Sequence, residues 1–256
     1  MHKGANYALP DPPARSDVER HLTDVSHLLL QNEIPWASTL AYLEYAHTLG
    51  TVTIFNPSPL PADAQLHTFP WFTLSWLIVN EGEAETLLRI MGWNPRNHDV
   101  EEEYHTDWPA DDNLRAAFST LSKLSRCEAF ALTGVACTLG AKGVLASMCG
   151  LREILYVPAA TLQGNVRDTT GAGDCFTGYF VAGLMQFGNK PLSKNDMVHL
   201  LQLSVQVCML ASFQTESQRS TLGSRDVRRS KRRDGKHSRT CRCGGSTVSE
   251  IMCSSD

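Results

Sequence analysis

Residues 168–174 read Asp168-Thr-Thr-Gly-Ala-Gly-Asp174, and Cys-Phe-Thr-Gly-Tyr-Phe-Val-Ala-Gly-Leu-Met follows without a break. The second run forms helix readily, so the polar residues and glycines of the first stand at a helix entry. A helix entry leaves its first backbone N–H groups without intrahelical partners and carries the positive end of the helix dipole. Gly171, Ala172 and Gly173 would turn those donors on an anion, since glycine permits close approach and positive φ. Asp174 would sit in the first turn and face the same anion. A carboxylate repels phosphate, so its use there is to take a proton from an attacking alcohol. Asp168, with Thr169 beside it, would close the loop or help hold a metal. The competing reading is an Asp/Thr cap on a helix that packs through small residues.

Other segments stand at similar junctions. Asn80-Glu-Gly-Glu83 ends the apolar run Trp76–Val79 and opens a helical pattern over Ala84–Met91. Such strand-to-helix junctions are where open α/β sheets bind ligands. Alone, the segment reads as an Asn cap with Glu at N3, a capping-box variant. Thr138-Leu-Gly-Ala-Lys-Gly143 joins apolar runs over 129–137 and 144–148, and alone it reads as a glycine-rich hairpin. Glu33, in Leu29-Leu-Gln-Asn-Glu33, and Asn56, in Asn56-Pro-Ser-Pro59, fall at the carboxyl ends of apolar runs. Either alone reads as a solvated loop residue.

Taken together, in this order, these segments resemble the ribokinase (carbohydrate and adenosine kinase) family, whose second signature is Asp-Thr-x-Gly-Ala-Gly-Asp. The resemblance spans about residues 4–200. It implies that Asp174 is the catalytic base and substrate contact, and that Gly171, Ala172 and Gly173 form the anion hole. Glu33 would bind the sugar. Asn80, Thr138, Gly140 and Gly143 would border the nucleotide. Glu83, Asp168 and Thr169 would organise magnesium. The Asn56 and Glu33 segments are typical of the ribokinase branch. The implied reaction is transfer of the γ-phosphoryl group of ATP, with Mg2+, to the primary hydroxyl of ribose, with K+ as a candidate activator. Another sugar, a nucleoside or a vitamin alcohol stays open as acceptor, as does an inactive nucleotide-binding fragment. Neither a Gly-Lys-Ser/Thr phosphate loop nor a Gly-x-Gly-x-x-Gly follows a strand, which disfavours Walker-type kinases and dinucleotide dehydrogenases.

The chain departs from the family pattern at both ends. Met1-His-Lys-Gly-Ala-Asn6 enters at what resembles the family's middle, and a Gly-Gly-x-Gly-Asn segment has no counterpart. The expectation is a shortened gene product without the family's first strands and its β lid over the sugar. An unpaired sheet edge and water access to the phosphoryl group follow from that. After Gln202 the family's small-residue segment gives way to a basic run, so its adenine-side and potassium-binding parts have no assignment.

The chain has 256 residues, of which 42% are hydrophobic, enough for one domain with a sizeable core. No apolar stretch reaches membrane-spanning length, and no secretory leader pattern opens the chain. Eight cysteines are scattered rather than spaced as a disulfide frame, and read as reduced thiols. The net charge of −4 divides unevenly: residues 1–218 carry −10 and residues 219–256 carry +6. Arg228-Arg-Ser-Lys-Arg-Arg233 has the character of a nuclear import signal. The preferred reading is a disordered tail over 215–256, beyond a kinase domain over 1–214. The acidic run Asp99–Glu103 reads as a solvated insertion. These features point to a cytoplasmic protein, with the nucleus as a second location, binding sugar and ATP. No membrane or nucleic-acid partner is expected, and a homodimer is an open assembly.

The pattern predicts helices over 16–26, 35–49, 81–91, 112–125, 171–187 and 194–212. Ser16, Asp112 and Ser193 are the expected caps and Pro35 the first helical residue. Strands are predicted over 28–31, 52–55, 76–79, 130–138, 143–148 and 153–157. Alternating strands and helices build a three-layer α/β/α, Rossmann-like, mostly parallel sheet with the motifs at its carboxyl edge.

Overall fold

The computed structural model describes residues 11–93, 109–149, 153–159, 171–188 and 190–211, together with Asn6 and Leu151. Asp168, Thr169, the acidic run and the basic tail lie outside the described residues.

Among these, six strands form one sheet in the order β1-β2-β3-β4-β5-β6. They are β1 (His27–Gln31), β2 (Val52–Asn56), β3 (Trp76–Asn80), β4 (Gly134–Thr138), β5 (Val144–Ser147) and β6 (Ile154–Val157). β1 to β4 run parallel, and β4-β5-β6 is an antiparallel meander. The helices are α1 (Arg15–Leu22), α2 (Trp36–Thr48), α3 (Asp63–His67), α4 (Glu81–Ile90), α5 (Asp112–Ser125), α6 (Ala172–Phe187) and α7 (Lys194–Ala211).

Strand order dictates where the helices go. Parallel strands taken in succession need crossovers, and right-handed crossovers in one direction place every connecting helix on one face. α2 to α5 therefore cover one side of the sheet. The other side would stay bare, and α6 and α7, following β6, return to cover it. Period-2 alternation divides the strand residues between the two cores. Leu30, Phe55, Leu77, Val79, Val135 and Leu145 face α2, α4 and α5. Ile54, Trp76, Ile78, Ala136, Val144 and Ala146 face α6 and α7. An edge-on contact ties β3 to α6, Trp76 to Phe180 at 5.2 Å, and another joins two connecting 3-10 turns, Trp71 to Phe130 at 5.1 Å.

The three-layer expectation therefore holds, and several boundaries move for local reasons. α1 begins at Arg15 after Ala14, with no side-chain cap, rather than at a Ser16 capping box. The Glu19 carboxylate that would complete that box is held by Arg15 Nε at 2.9 Å. Pro35 is the N-cap of α2 rather than its first residue. Asp111, not Asp112, caps α5, its Oδ1 accepting from Leu114 N at 2.7 Å. The strand predicted over 130–138 starts only at Gly134, because Glu128–Phe130 winds into a 3-10 turn that buries Phe130. Ser193 does cap α7, exchanging bonds with Asp196.

β1 pairs with β2 alone among the described residues, and Leu29 on its α6-facing side stays 37% exposed. No helix among them is long and apolar enough to cross a membrane. None of the described cysteines forms a disulfide.

Candidate active site

Four strands end on polar residues in near register. Gln31 of β1 lies opposite Asn56 of β2, and Asn80 of β3 opposite Thr138 of β4. The carboxyl edge thus presents a row of amide and hydroxyl side chains, the arrangement that collects ligands in open α/β folds.

α6 points its first turn at this row. Gly171 is its N-cap, at φ 78° in the left-handed region, and contributes no side-chain cap. Cys175 N bonds to Gly171 O at 2.9 Å as the first bond of the helix, so the amides of Gly171, Ala172, Gly173 and Asp174 have no partner within it. Among the described residues, a Cβ built on Gly171 or Gly173 meets no atom within 4 Å. A cleft of about 100 Å³ lies there, lined among others by Thr138, Gly140, Gly143, Ala172 and Gly173. Residues far apart in sequence, expected at the nucleotide and at the anion hole, therefore share one cleft.

Asp174 is exposed in the first turn of α6. Its Oδ1 accepts from Gln31 Nε2 at 2.9 Å, a bond that spans 143 positions of chain and fastens α6 to the edge of β1.

The Asn80-Glu83 segment forms the capping box that the bland reading expected. Asn80 Oδ1 accepts from Glu83 N at 2.9 Å, and Glu83 Oε2 accepts from Asn80 N at 3.0 Å. Burial pushes the Glu83 carboxyl above its ordinary range, opposed by bonds from Asn80 and Ser58. One carboxylate oxygen is thus committed to the helix cap. Replacing Asn80 by Ala is expected to lower stability by about 1 kcal/mol through the lost cap, readable as a shift in the urea midpoint.

The glycine turn is a hairpin between β4 and β5, with Leu139 N bonded to Gly143 O at 2.8 Å. Thr138 Oγ1 donates to Val79 O at 3.4 Å, so its hydroxyl ties back to the sheet. Glu33 lies two residues beyond β1 and is exposed. The described contacts do not join it to Asp174; its neighbour Asn32 is tied to Pro59 O at 2.7 Å instead.

Several lining residues escaped the sequence reading. Phe176, Val205 and Cys208 close the cleft from α6 and α7. The Cys208 thiol donates to Ala172 O at 3.0 Å, and burial, with the Cys175 sulfur, pushes it above its ordinary range. No metal-ligand signature marks them, because they serve as packing against the anion turn. Gln31 had a signal: it is the first polar residue after the apolar run 28–30, placed where a strand meets the sheet edge.

A family model described as "pfkB family carbohydrate kinase" matches residues 18–222. A solved ribokinase from Cryptococcus neoformans var. grubii serotype A, in complex with ADP, is 43% identical with a TM-score of 0.62. The alignment covers 82% of this chain and 59% of that one. Mouse ribokinase is 29% identical over 169 residues, 65% of this chain and 44% of the relative. A deoxyribokinase from Salmonella typhi is 27% identical over 208 residues, 79% of this chain and 57% of the relative. The chain thus spans about half the length of these curated relatives. Its match to the family model runs through both cores, the capped Asn80 junction, the glycine hairpin and the anion turn, and the chain belongs to the pfkB family of carbohydrate kinases.

Proposed function

We propose that this chain transfers the γ-phosphoryl group of ATP to the primary hydroxyl of ribose, with Asp174 as general base. The observation that carries the proposal is the placement of the Asp174 carboxylate and the helix-entry amides in one turn, with Ala172 and Gly173 lining the cleft shared with Thr138, Gly140 and Gly143. The amides of Gly171, Ala172 and Gly173 would hold the charge that develops on the phosphoryl oxygens, where fixed dipoles stabilise a transition state without reorganising. The Asp174 carboxylate would take the proton of the attacking alcohol at an oxygen atom. Thr138, Gly140 and Gly143 border the same cleft and would pack against the nucleotide. Glu33, exposed beyond β1, would reach the sugar.

The residues suit a magnesium ion carried mainly by the nucleotide. Among the described residues no three metal-ligating side chains converge, and Glu83 has one oxygen committed to its cap. Magnesium keeps several waters and binds through one or two carboxylates plus substrate phosphates, which fits this donor set. Glu83 would hold it, with Asp168 and Thr169 as further proposed ligands. When bound, the ion would neutralise charge on the phosphates.

A deoxyribokinase among the relatives favours a second reading, in which the acceptor is another sugar or a nucleoside. Calorimetry with ATP and magnesium, run beside turnover of ribose, deoxyribose and nucleosides, decides between the two. The expected result is saturable ATP binding with ribose as the preferred acceptor. Preference for another acceptor overturns the ribose assignment, and ATP binding with no turnover of any acceptor supports a nucleotide-binding fragment.

A further inference from the structure

We propose that Gln31 is a positioning residue for the base, the middle of an amide relay that runs from β3 through β2 and β1 to Asp174; this rests on the kinase reading above. The direction of every bond in the relay is fixed by chemistry. Ile78 O can only accept, so Asn56 must present its amide nitrogen there, at 2.8 Å. That turns Asn56 Oδ1 toward Gln31, which can satisfy it only with Nε2, at 3.5 Å. The same nitrogen carries two protons and gives the second to Asp174 Oδ1 at 2.9 Å. Asn56 is buried and stands in register with Gln31, so the relay is anchored in the sheet rather than in a loop.

The relay holds the base's carboxylate by one oxygen, Oδ1. A donor to a carboxylate favours its charged form, so removing the donor is the direct way to read the relay. The relay is legible against its electrostatic surroundings. α6 packs against β1 and α7. β1 carries one titratable group, His27, at the opposite end of the strand. α7 runs antiparallel to α6, with Cys208 at Ala172 and Leu200 at Gly183. Its charged residues Lys194 and Asp196, and His199, therefore lie toward the far end of α6, and Cys208 is its titratable group beside the first turn. On α6 itself the titratable neighbours are Cys175 and Tyr179. Gln31 is thus the side chain on β1 that sets the carboxylate's environment.

The test uses the full chain with Gln31→Met, which keeps side-chain length and removes the donor, and Gln31→Glu, which sets a second carboxylate against the first. Titration of the Asp174 side-chain carboxyl carbon by NMR reads the relay without any need for turnover. Gln31→Met is expected to move the midpoint upward, and Gln31→Glu to move it further in the same direction. With ribose and ATP, Gln31→Met is expected to lower kcat about 10-fold to 100-fold while the KM for ATP moves less than about twofold. In the Asp174→Asn background, Gln31→Met should cost little further activity, because the relay acts through the missing carboxylate. An unmoved midpoint in both Gln31 variants overturns the relay. So does a loss from Gln31→Met that adds in full to that of Asp174→Asn. Undiminished turnover in Asp174→Asn alone is a separate result: it removes the base assignment, while the carboxyl titration still reports on the relay.

Discussion

Asp174→Asn is expected to lower turnover by about 10³-fold while leaving ATP affinity within about twofold of the unmodified chain. The substitution keeps shape and removes only the ability to take a proton. Asn can still turn its carbonyl oxygen to Gln31 Nε2, now 2.9 Å from Oδ1, so α6 stays fastened to β1. The amides of Gly171, Ala172 and Gly173 are main-chain groups and are untouched, so the phosphoryl group keeps its cradle. What is lost is general-base catalysis, which contributes about 10² to 10⁴-fold. A 10³-fold loss corresponds to about 4 kcal/mol of transition-state stabilisation. Because the proposed nucleotide contacts are Thr138, Gly140, Gly143 and the helix entry rather than the Asp174 carboxylate, the loss should fall on kcat. ADP-coupled kinetics and calorimetry measure the two quantities separately. Turnover that survives the substitution, or a loss confined to ATP affinity, sinks the base assignment.

The helix entry at residues 171–174 was legible because its geometry is local. A glycine-rich helix entry orients its own amides, so Gly171, Ala172, Gly173 and Asp174 came to one turn without tertiary context. The carboxyl-edge placement of Asn56, Asn80 and Thr138 was legible for a similar reason: each follows an apolar run, and parallel strands gather their carboxyl ends. The capping box at Asn80 and Glu83 shows the opposite limit. The same two side chains serve a helix cap and, in the proposed site, a nucleotide (Asn80) and its ion (Glu83), and spacing alone does not separate those roles. Glu33 stands as the sugar contact on the family resemblance alone. Yet the bond that reaches Asp174 comes from the neutral amide, and only the register of β1 against β2, with Asn56 turned to Ile78 O, decides which atom of Gln31 faces the base. The lining by Phe176, Val205 and Cys208 was hidden because it depends on how α7 lies along α6, which no short motif encodes. The start of α5 moved by one residue because two candidate caps, Asp111 and Asp112, stand adjacent, and Asp111 is the one that bonds Leu114 N.

Gly143→Ala is expected to destabilise the fold by about 3 kcal/mol or more, the largest effect foreseen for a change of one methyl group. Gly143 sits at φ 107°, a left-handed region that L side chains rarely adopt. Its position is also closed. A Cβ there would fall 2.1 Å from Val157 O, 2.6 Å from Ala159 N and 2.7 Å from Pro158 C. All three are backbone atoms of the segment that leaves β6, so no rotamer change relieves the overlap, and the β5-β6 ladder must part near Val144 and Val157. Backbone strain and overpacking each cost about 1–3 kcal/mol, and here they add. Gly140 provides the control. It has φ 56° in the same turn, but a Cβ there meets nothing within 4 Å. Gly140→Ala should therefore cost only the left-handed backbone term, about 1–2 kcal/mol. Urea unfolding of the two variants separates the terms, and ATP calorimetry adds the functional side. Because Gly143 lines the cleft opposite Ala172 and Gly173, displacing the hairpin should weaken nucleotide binding in Gly143→Ala more than in Gly140→Ala. Equal losses of stability in the two variants would show that conformation alone, and not the close approach of β6, demands glycine at this turn.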